Sequence, residues 1–174
     1  MHEKIAERLT IIEWTGDLAF VASSWIASFV AESNLCKGVP KGLGAKEQTR
    51  VVNRLLPYSR ILAACDREDP DVIYGYIVFE KIDGVALIHY VYVKRPFQNF
   101  GIANAMIDMV RLKIHTDKDL PMITDHSTIH ALRLRKHGIV YNPFLLINRN
   151  RSENNEAQKL EACKPHSSRH AASQ

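Results

Sequence analysis

Gln98-Asn99-Phe100-Gly101-Ile102-Ala103 is the stretch where residue types and spacing point most directly to chemistry. It follows a β-prone apolar run that ends at Val93, then Lys94-Arg95-Pro96. It leads into an apolar pattern at Ile102, Met106, Met109, Val110 and Ile114 with helical spacing. Glycine lets a backbone approach a ligand closely. The N–H groups of a first helical turn lack intrahelical acceptors, and the helix dipole favours an anion there. The physical reading is a phosphate or pyrophosphate cradle, with a plain tight turn as the alternative. A second group, His126 and His130 in H-x-x-x-H spacing beside Asp125, has the i, i+4 relation of a helical metal pair. Ser127 stands where a metalloprotease would carry its glutamate. No metal is therefore expected, and these histidines are read as surface residues or, for His126, as part of an acceptor site.

The elements that must position these residues follow from periodicity. Leu9–Glu13 is a short β-prone run. Asp17 stands as an N-cap ahead of Leu18, Val21, Trp25, Ile26, Phe29 and Val30, which predict a helix over 18–32. Cys36 to Gly44, with four of its nine residues Gly or Pro, reads as a flexible loop. A second helix is expected over about 45–56, stopped by Pro57. Arg60–Cys65, Val72–Lys81 and Val85–Val93 then read as three strands of an antiparallel meander. Asp83-Gly84 supplies a hairpin turn between the last two. A third helix of about 13 residues follows Gly101. Met122–Thr124 is a short strand, a fourth helix is capped by Ser127 or Thr128 and ended by Gly138, and Ile139–Ile147 is a last β-prone stretch. This order predicts an α+β domain over residues 1–147: a central, mostly antiparallel mixed sheet of six to seven strands with about four helices on its faces. Residues 148–174 are polar and read as a flexible tail.

Composition narrows the function classes. A chain of 174 residues is one domain's length, and 46% hydrophobic with 24% charged residues suits an ordinary soluble globular protein. No apolar run approaches the ~20 residues of a membrane helix, and the start, Met-His-Glu-Lys-Ile-Ala-Glu-Arg, does not read as a secretory signal. Cys36, Cys65 and Cys163 are widely spaced and odd in number, which suits reduced thiols in a cytoplasm and gives no cysteine zinc framework. The net charge of +4 is a mild bias towards anionic partners. Lys113, Arg133, Arg135, Lys136 and Arg149 are the basic set that a nucleic-acid partner would use, although no nucleic-acid signature accompanies them.

The junction resembles the cofactor signature of the GNAT superfamily of acyl-coenzyme A-dependent N-acyltransferases, Gln/Arg-x-x-Gly-x-Gly/Ala. Gln98, Gly101 and Ala103 occupy its three defined places. The preceding hairpin (G-Y-I-V-F-E, a turn, then A-L-I-H-Y-V-Y-V-K-R-P) and the Ser127…Gly138-Ile139 stretch are similar to the family as well. The likeness covers about residues 5–147. Phe100 stands where the family often has a basic residue, and Ile102 where it often has a polar one. The resemblance implies acetyl-CoA as co-substrate. Backbone groups of Val91, Tyr92 and Val93 would pair with the pantetheine amides like an added strand. Gln98, Asn99, Phe100, Gly101, Ile102 and Ala103 would hold the pyrophosphate.

Direct acetyl transfer to a primary amine then follows from the resemblance, and it needs a general base near neutral pH. His89 lies in the register of a histidine that arylalkylamine N-acetyltransferases use for proton transfer; its other reading is a hydrogen-bonded core histidine. Strict alternation would put Leu87, His89 and Val91 on one face and Ile88, Tyr90 and Tyr92 on the other, and a bulge would reset that pattern. The family's usual general acid is a tyrosine four residues before the helix-ending glycine. Here Leu134 stands at that position. The proton falls to Tyr141, Tyr92 or water, or else the chain binds acyl-CoA without turnover. Trp25, Phe29, Glu32 and His126 are the expected acceptor contacts, with Asn34 and the Cys36–Gly44 loop beside them. The partners expected are acetyl-CoA and an amine, with no membrane.

Overall fold

The computed structural model describes residues 7–82, 84–114, 122–124, 138–142 and 144. The strands are β1 (Leu9–Glu13), β2 (Arg60–Asp66), β3 (Ile73–Ile82), β4 (Val85–Val93), β5 (Met122–Thr124) and β6 (Ile139–Tyr141). The helices are α1 (Leu18–Glu32), α2 (Lys41–Leu55) and α3 (Ile102–Ile114). One sheet runs β1-β2-β3-β4-β5-β6. Neighbours are antiparallel from β1 through β4, and β4–β5 and β5–β6 are parallel. The expected α+β architecture with a mixed six-stranded sheet is what forms. Of the about four helices expected, three lie among the described residues. The segment expected to form the fourth, with Ser127, Leu134, His126, His130 and His137, lies outside them, as do residues 148–174.

Each face of the sheet has its own chemistry. On one, α3 buries Ile102, Met106, Ile107, Val110 and Ile114 against Leu62, Ala64, Ile77, Phe79, Ala86, Ile88, Met122 and Ile139. Each such side chain contributes about 1.5–3 kcal/mol when taken fully out of water, so this apolar layer is the main core. On the other face α1 lies over a row of tyrosines. Its start is capped by Asp17, whose Oδ1 accepts from Ala19 N at 2.7 Å. The glycine-rich stretch departs from expectation, because α2 begins at Lys41 and takes in Gly42 and Gly44. A Cβ at Gly44 would lie 3.7 Å from Val30 Cγ1, so this position sits against α1. Helix–helix packing outweighs the ~1 kcal/mol that a glycine costs inside a helix.

Two irregularities shape the central strands. In β3 the register passes from Ala64↔Gly75 to Cys65↔Ile73, leaving Tyr74 as an extra residue. Its hydroxyl donates to Asp66 Oδ2 at 2.5 Å, and Arg8 Nη2 approaches the same oxygen at 2.9 Å. Glu68 N donates to Asp66 Oδ1 at 2.9 Å. The Tyr74 hydrogen bond, then those from Glu68 N and Arg8, hold the Asp66 carboxyl down at about 2. Burial first, then Asp66, pushes the Tyr74 hydroxyl up to about 12, so it remains a donor. The second irregularity, in β4, is described with the site.

Gly75 marks the closest approach of β3 to β4, since a Cβ there would lie 2.3 Å from the Tyr92 carbonyl oxygen. No side chain fits unless the strands separate, so Gly75→Ala is expected to lower stability in urea by about 1–3 kcal/mol, the usual cost of overpacking. An unchanged unfolding midpoint would show that β3 and β4 can part freely here. Asp66 yields a pH prediction. A carboxyl whose pKa is depressed on folding stabilises the native state above its ordinary value near ~3.9. That stability is lost as pH falls through about 2. The melting temperature of Asp66→Asn should lie below wild type at neutral pH, with the two curves converging between ~4 and ~2. Parallel curves would remove Asp66 as an acid-labile tie.

Candidate active site

The described pairing of β4 with β5 is short. Only Leu87↔Ile123 and Ile88↔Thr124 are paired, and among the described residues no strand pairs with Val91–Val93 on the side away from β3. Next to this pairing β4 is irregular: the register passes from Val78↔Tyr90 to Phe79↔Ile88, so β4 has one residue more than β3 at His89. Such a bulge bends its strand and resets which side each residue faces.

The bulge corrects the alternation expected from sequence. Tyr90 and Tyr92 point to the α1 face: the Tyr90 ring stacks on Trp25 at 5.2 Å, and Tyr92 lies 5.2 Å from Tyr76. Ile88, Val91 and Val93 pack on the α3 side. His89 joins the α1 side, where its Nε2 is 3.2 Å from Glu80 Oε1. Both side chains are buried, His89 with 1% of its surface exposed.

Backbone direction adds a second correction. Lys94 N donates to Tyr74 O at 2.9 Å, and the Tyr92 carbonyl faces Gly75. Strand alternation therefore turns the polar groups of Tyr92 towards β3 and those of Val91 and Val93 outward. The backbone of Tyr92, expected to pair with the cofactor arm, therefore faces β3.

Past Val93 a 3₁₀ turn at Arg95–Phe97 redirects the chain, and Phe97 packs 4.5 Å from the Tyr74 ring. Gln98 Nε2 donates to Val93 O at 3.1 Å, tying the loop to the end of β4. Asn99 (φ 67°) and Gly101 (φ 80°) both take the left-handed conformation, which asparagine and glycine tolerate best. The Gly101 carbonyl accepts from Ala105 N at 3.0 Å, so α3 begins there. The N–H groups of Ile102, Ala103 and Asn104 then head the helix. No acidic residue lies in its first turn, and a Cβ on Gly101 would meet no atom within 4 Å. Ile102 is buried and anchors this end, whereas Asn99 and Gly101 are exposed. Of the nearby cations, Lys94 Nζ lies 5.7 Å from the Phe20 ring centroid, and Arg95 is exposed.

On the α1 face, Ser28 Oγ and Tyr90 OH are 2.6 Å apart, and Ser24 Oγ and Tyr76 OH are 2.8 Å apart. Tyr76 also donates to Val21 O at 3.0 Å. Burial, with the Glu32 carboxylate among the smaller causes, pushes the Tyr90 hydroxyl up to about 12. Glu32 is exposed at the end of α1. Phe29 is buried, and Trp25, expected with it to contact the acceptor, is fully enclosed with its ring stacked on Tyr90. His126 lies outside the described residues. Tyr141, 40% exposed, pairs with Thr124, which pairs with Ile88. That register puts Tyr141 on the α3 side of the sheet, opposite His89, so the structure does not bring the two expected catalytic residues together. In the basic set, Lys113 Nζ is 2.9 Å from Glu13 Oε1, and the other four lie outside the described residues. No helix among the described residues is long and apolar enough to cross a membrane.

Glu80 and Gly75 were not singled out from sequence. The signal for Glu80 was present: in Tyr76, Val78, Glu80 an acid occupies the inward period-2 position of a central strand.

No protein-family model and no curated protein sequence matches the chain. Among solved structures, a GCN5-related N-acetyltransferase from Rhodopseudomonas palustris matches 75% of this chain and 80% of its own, with 15% identity and a TM-score of 0.53. An inferred acetyl transferase from Pyrococcus furiosus matches 95% of this chain and 97% of its own, with 12% identity and a TM-score of 0.51. An inferred GNAT-family acetyltransferase from Desulfovibrio desulfuricans matches 61% of this chain and 65% of its own, less than two thirds of its length, with 12% identity and a TM-score of 0.41. The two longer matches, both with TM-scores above 0.5, show the fold: the chain has the fold of the GCN5-related N-acetyltransferases (GNATs).

Proposed function

We propose that the chain is an acyl-CoA-dependent N-acyltransferase that moves an acetyl group from acetyl-CoA to a primary amine. The observation that carries this reading is the outer edge of β4 at Val91 and Val93, which no described strand pairs, running into a helix whose first N–H groups head an exposed glycine turn. An extended diamide arm capped by a pyrophosphate has the matching shape. Its amides would bond the outward groups of Val91 and Val93 as an added strand. The pyrophosphate would lie on the amides of Gly101, Ile102 and Ala103, where dipole and donors favour an anion. Gln98, Asn99 and Phe100 would form the approach to it.

In the proposed transfer, the amine nitrogen attacks the thioester carbonyl and gives up a proton. The C–S bond breaks, and the coenzyme A thiolate takes a proton in turn. His89 would receive the first proton, relayed through water because its imidazole is buried. Tyr92, half-buried on the same face, is better placed than Tyr141 to supply the second. The acceptor would approach past Glu32, with Phe29 and Trp25 supporting Tyr90 beneath it. Acyl-CoA binding without turnover is the second reading, favoured by the burial of His89.

Acetyl-CoA at ~100 times its dissociation constant should stabilise the protein by about 2.7 kcal/mol, raising the melting temperature by several degrees. Gly101→Glu, measured against its own ligand-free melting temperature, should lose that shift. A shift retained in the variant would move the phosphate site elsewhere. For the chemistry, His89→Gln should reduce kcat by about 10²–10⁴-fold and remove the ascending limb of the pH–rate profile, while acetyl-CoA affinity is retained. A profile that keeps its limb would dismiss His89 as the base. Absence of thiol release with every member of a primary-amine panel, with the thermal shift intact, would favour binding without turnover.

A further inference from the structure

Glu80 and His89 form a buried pair of titratable side chains, brought together from adjacent strands β3 and β4. Counting on from Leu87, which pairs with Glu80, alternation puts His89 on the α1 face. Tyr76, Val78 and Glu80 of β3 point to that face, and the bulge brings Tyr90 there beside His89. There Glu80 Oε1 is 3.2 Å from His89 Nε2. A carboxylate this buried is tolerated when a partner answers its charge.

From this we infer that Glu80 is the positioning residue for His89. Its carboxylate holds the imidazole from the neighbouring strand and stabilises the imidazolium that forms when His89 takes the proton of the attacking amine. The inference rests on the acyl-transfer reading above. In the proton step, an N–H bond of the amine breaks and an N–H bond forms on His89. Glu80 stays ionised throughout, and the proton leaves to solvent after each turnover. A carboxylate beside a base stabilises the protonated base and leaves the imidazole the stronger proton acceptor.

Among the described residues, these groups face or flank the pair. The hydroxyls of Tyr76 and Tyr90 on this face are pushed up by burial and stay neutral, with Tyr92 beside them. Glu32, from α1, is exposed at the helix end and acts on Tyr90. From β5, Thr124 is buried. The inward positions of α2 are Gly44, Gln48, Val52 and Leu55, none of which titrates. On β2, Arg60 pairs in register with Phe79, lies over the Phe79 ring and is engaged by Glu13. The helix α3 packs on the opposite face.

The test reads the imidazole directly and then the reaction. In protein carrying ¹³C-histidine, the NMR titration midpoint of His89 should fall by about one pH unit or more in Glu80→Gln, as expected when an opposite charge at contact distance is removed. With acetyl-CoA and benzylamine as the probe amine, the ascending limb of kcat should move to lower pH by the same amount. The plateau should fall about tenfold, and Glu80→Asp should restore part of it. A purely structural Glu80 would scale the rate without moving the limb, and that result, or an unmoved midpoint, overturns the inference. If His89→Gln removes the limb while Glu80→Gln leaves it in place, the base stands and Glu80 alone falls. If His89→Gln leaves the limb intact, the base falls and the inference with it. Should benzylamine give no thiol release, the midpoint comparison decides whether Glu80 governs the imidazole. Should Glu80→Gln fail to fold, ¹³C-labelled glutamate and histidine in the wild type must respond together at one midpoint, and independent midpoints would overturn the pairing.

Discussion

Between Val78↔Tyr90 and Phe79↔Ile88 the fourth strand uses two residues where the third uses one, and much of the site follows from that extra residue. Side chains alternate along a strand with a period of two, so one added residue exchanges the faces of everything beyond it. N-terminal to the bulge, Ala86 and Ile88 belong to the apolar layer under α3. C-terminal to it, Val91 and Val93 take over that role. His89 and Tyr90, adjacent in sequence, both reach the α1 face.

The α1 face tolerates polar groups because the hydroxyls of Ser24, Ser28, Tyr76 and Tyr90 have defined partners there. Ser24 and Ser28, one turn apart, bond carbonyls of the preceding turn and meet Tyr76 and Tyr90 with their own hydroxyls. Without such partners, each buried hydroxyl would cost roughly 1–3 kcal/mol. A helix that looks almost uniformly apolar thus carries two serines at the spacing that makes them neighbours on one face. The opposite face, under α3, can be wholly hydrophobic, so the domain keeps a conventional core while its second layer holds the buried acid, the histidine and the tyrosines.

Much of this was legible in the sequence where a single residue type has a single physical use. Gly84 in an Asp-Gly turn fixed the β3–β4 hairpin, and Gly101 after Pro96 marked the head of α3; both have positive φ. The bulge was not legible, because in V-A-L-I-H-Y-V-Y-V any interior residue could be the extra one, and only pairing with β3 identifies it. For the same reason the face of His89 and the backbone direction of Tyr92 could not be assigned from alternation. The start of α2 was missed because glycine propensity argues for a loop, whereas packing of Gly44 against Val30 decides for helix. Glu80 was overlooked because a lone acid in an apolar strand gains meaning only once its partner is known. The segment carrying Leu134 and His126 lies outside the described residues, so its part in the site rests on the sequence.

The remaining constraint is the outer edge of β4 at Val91 and Val93, which no described strand pairs. A β-strand with outward N–H and C=O groups in the middle of a sheet is a template for another strand, and proteins ordinarily cover or blunt such edges. Here Val91 and Val93 are half-buried, so water reaches their polar groups less freely than on an outer edge. Gln98 already answers the Val93 carbonyl with its side-chain amide. An amide-bearing chain laid along β4 would answer the rest without disturbing the Gly75–Tyr92 approach that binds β4 to β3 on its other side. The two sides of β4 therefore divide the work: close backbone packing on one keeps the strand rigid, and the rigid strand presents to the other a fixed row of donors and acceptors. A partner that meets a preformed row loses less on ordering than one that must assemble it. The glycine-headed helix stands at the end of that row, so an extended ligand with amides along its length and an anion at its end would engage both with no rearrangement of the sheet.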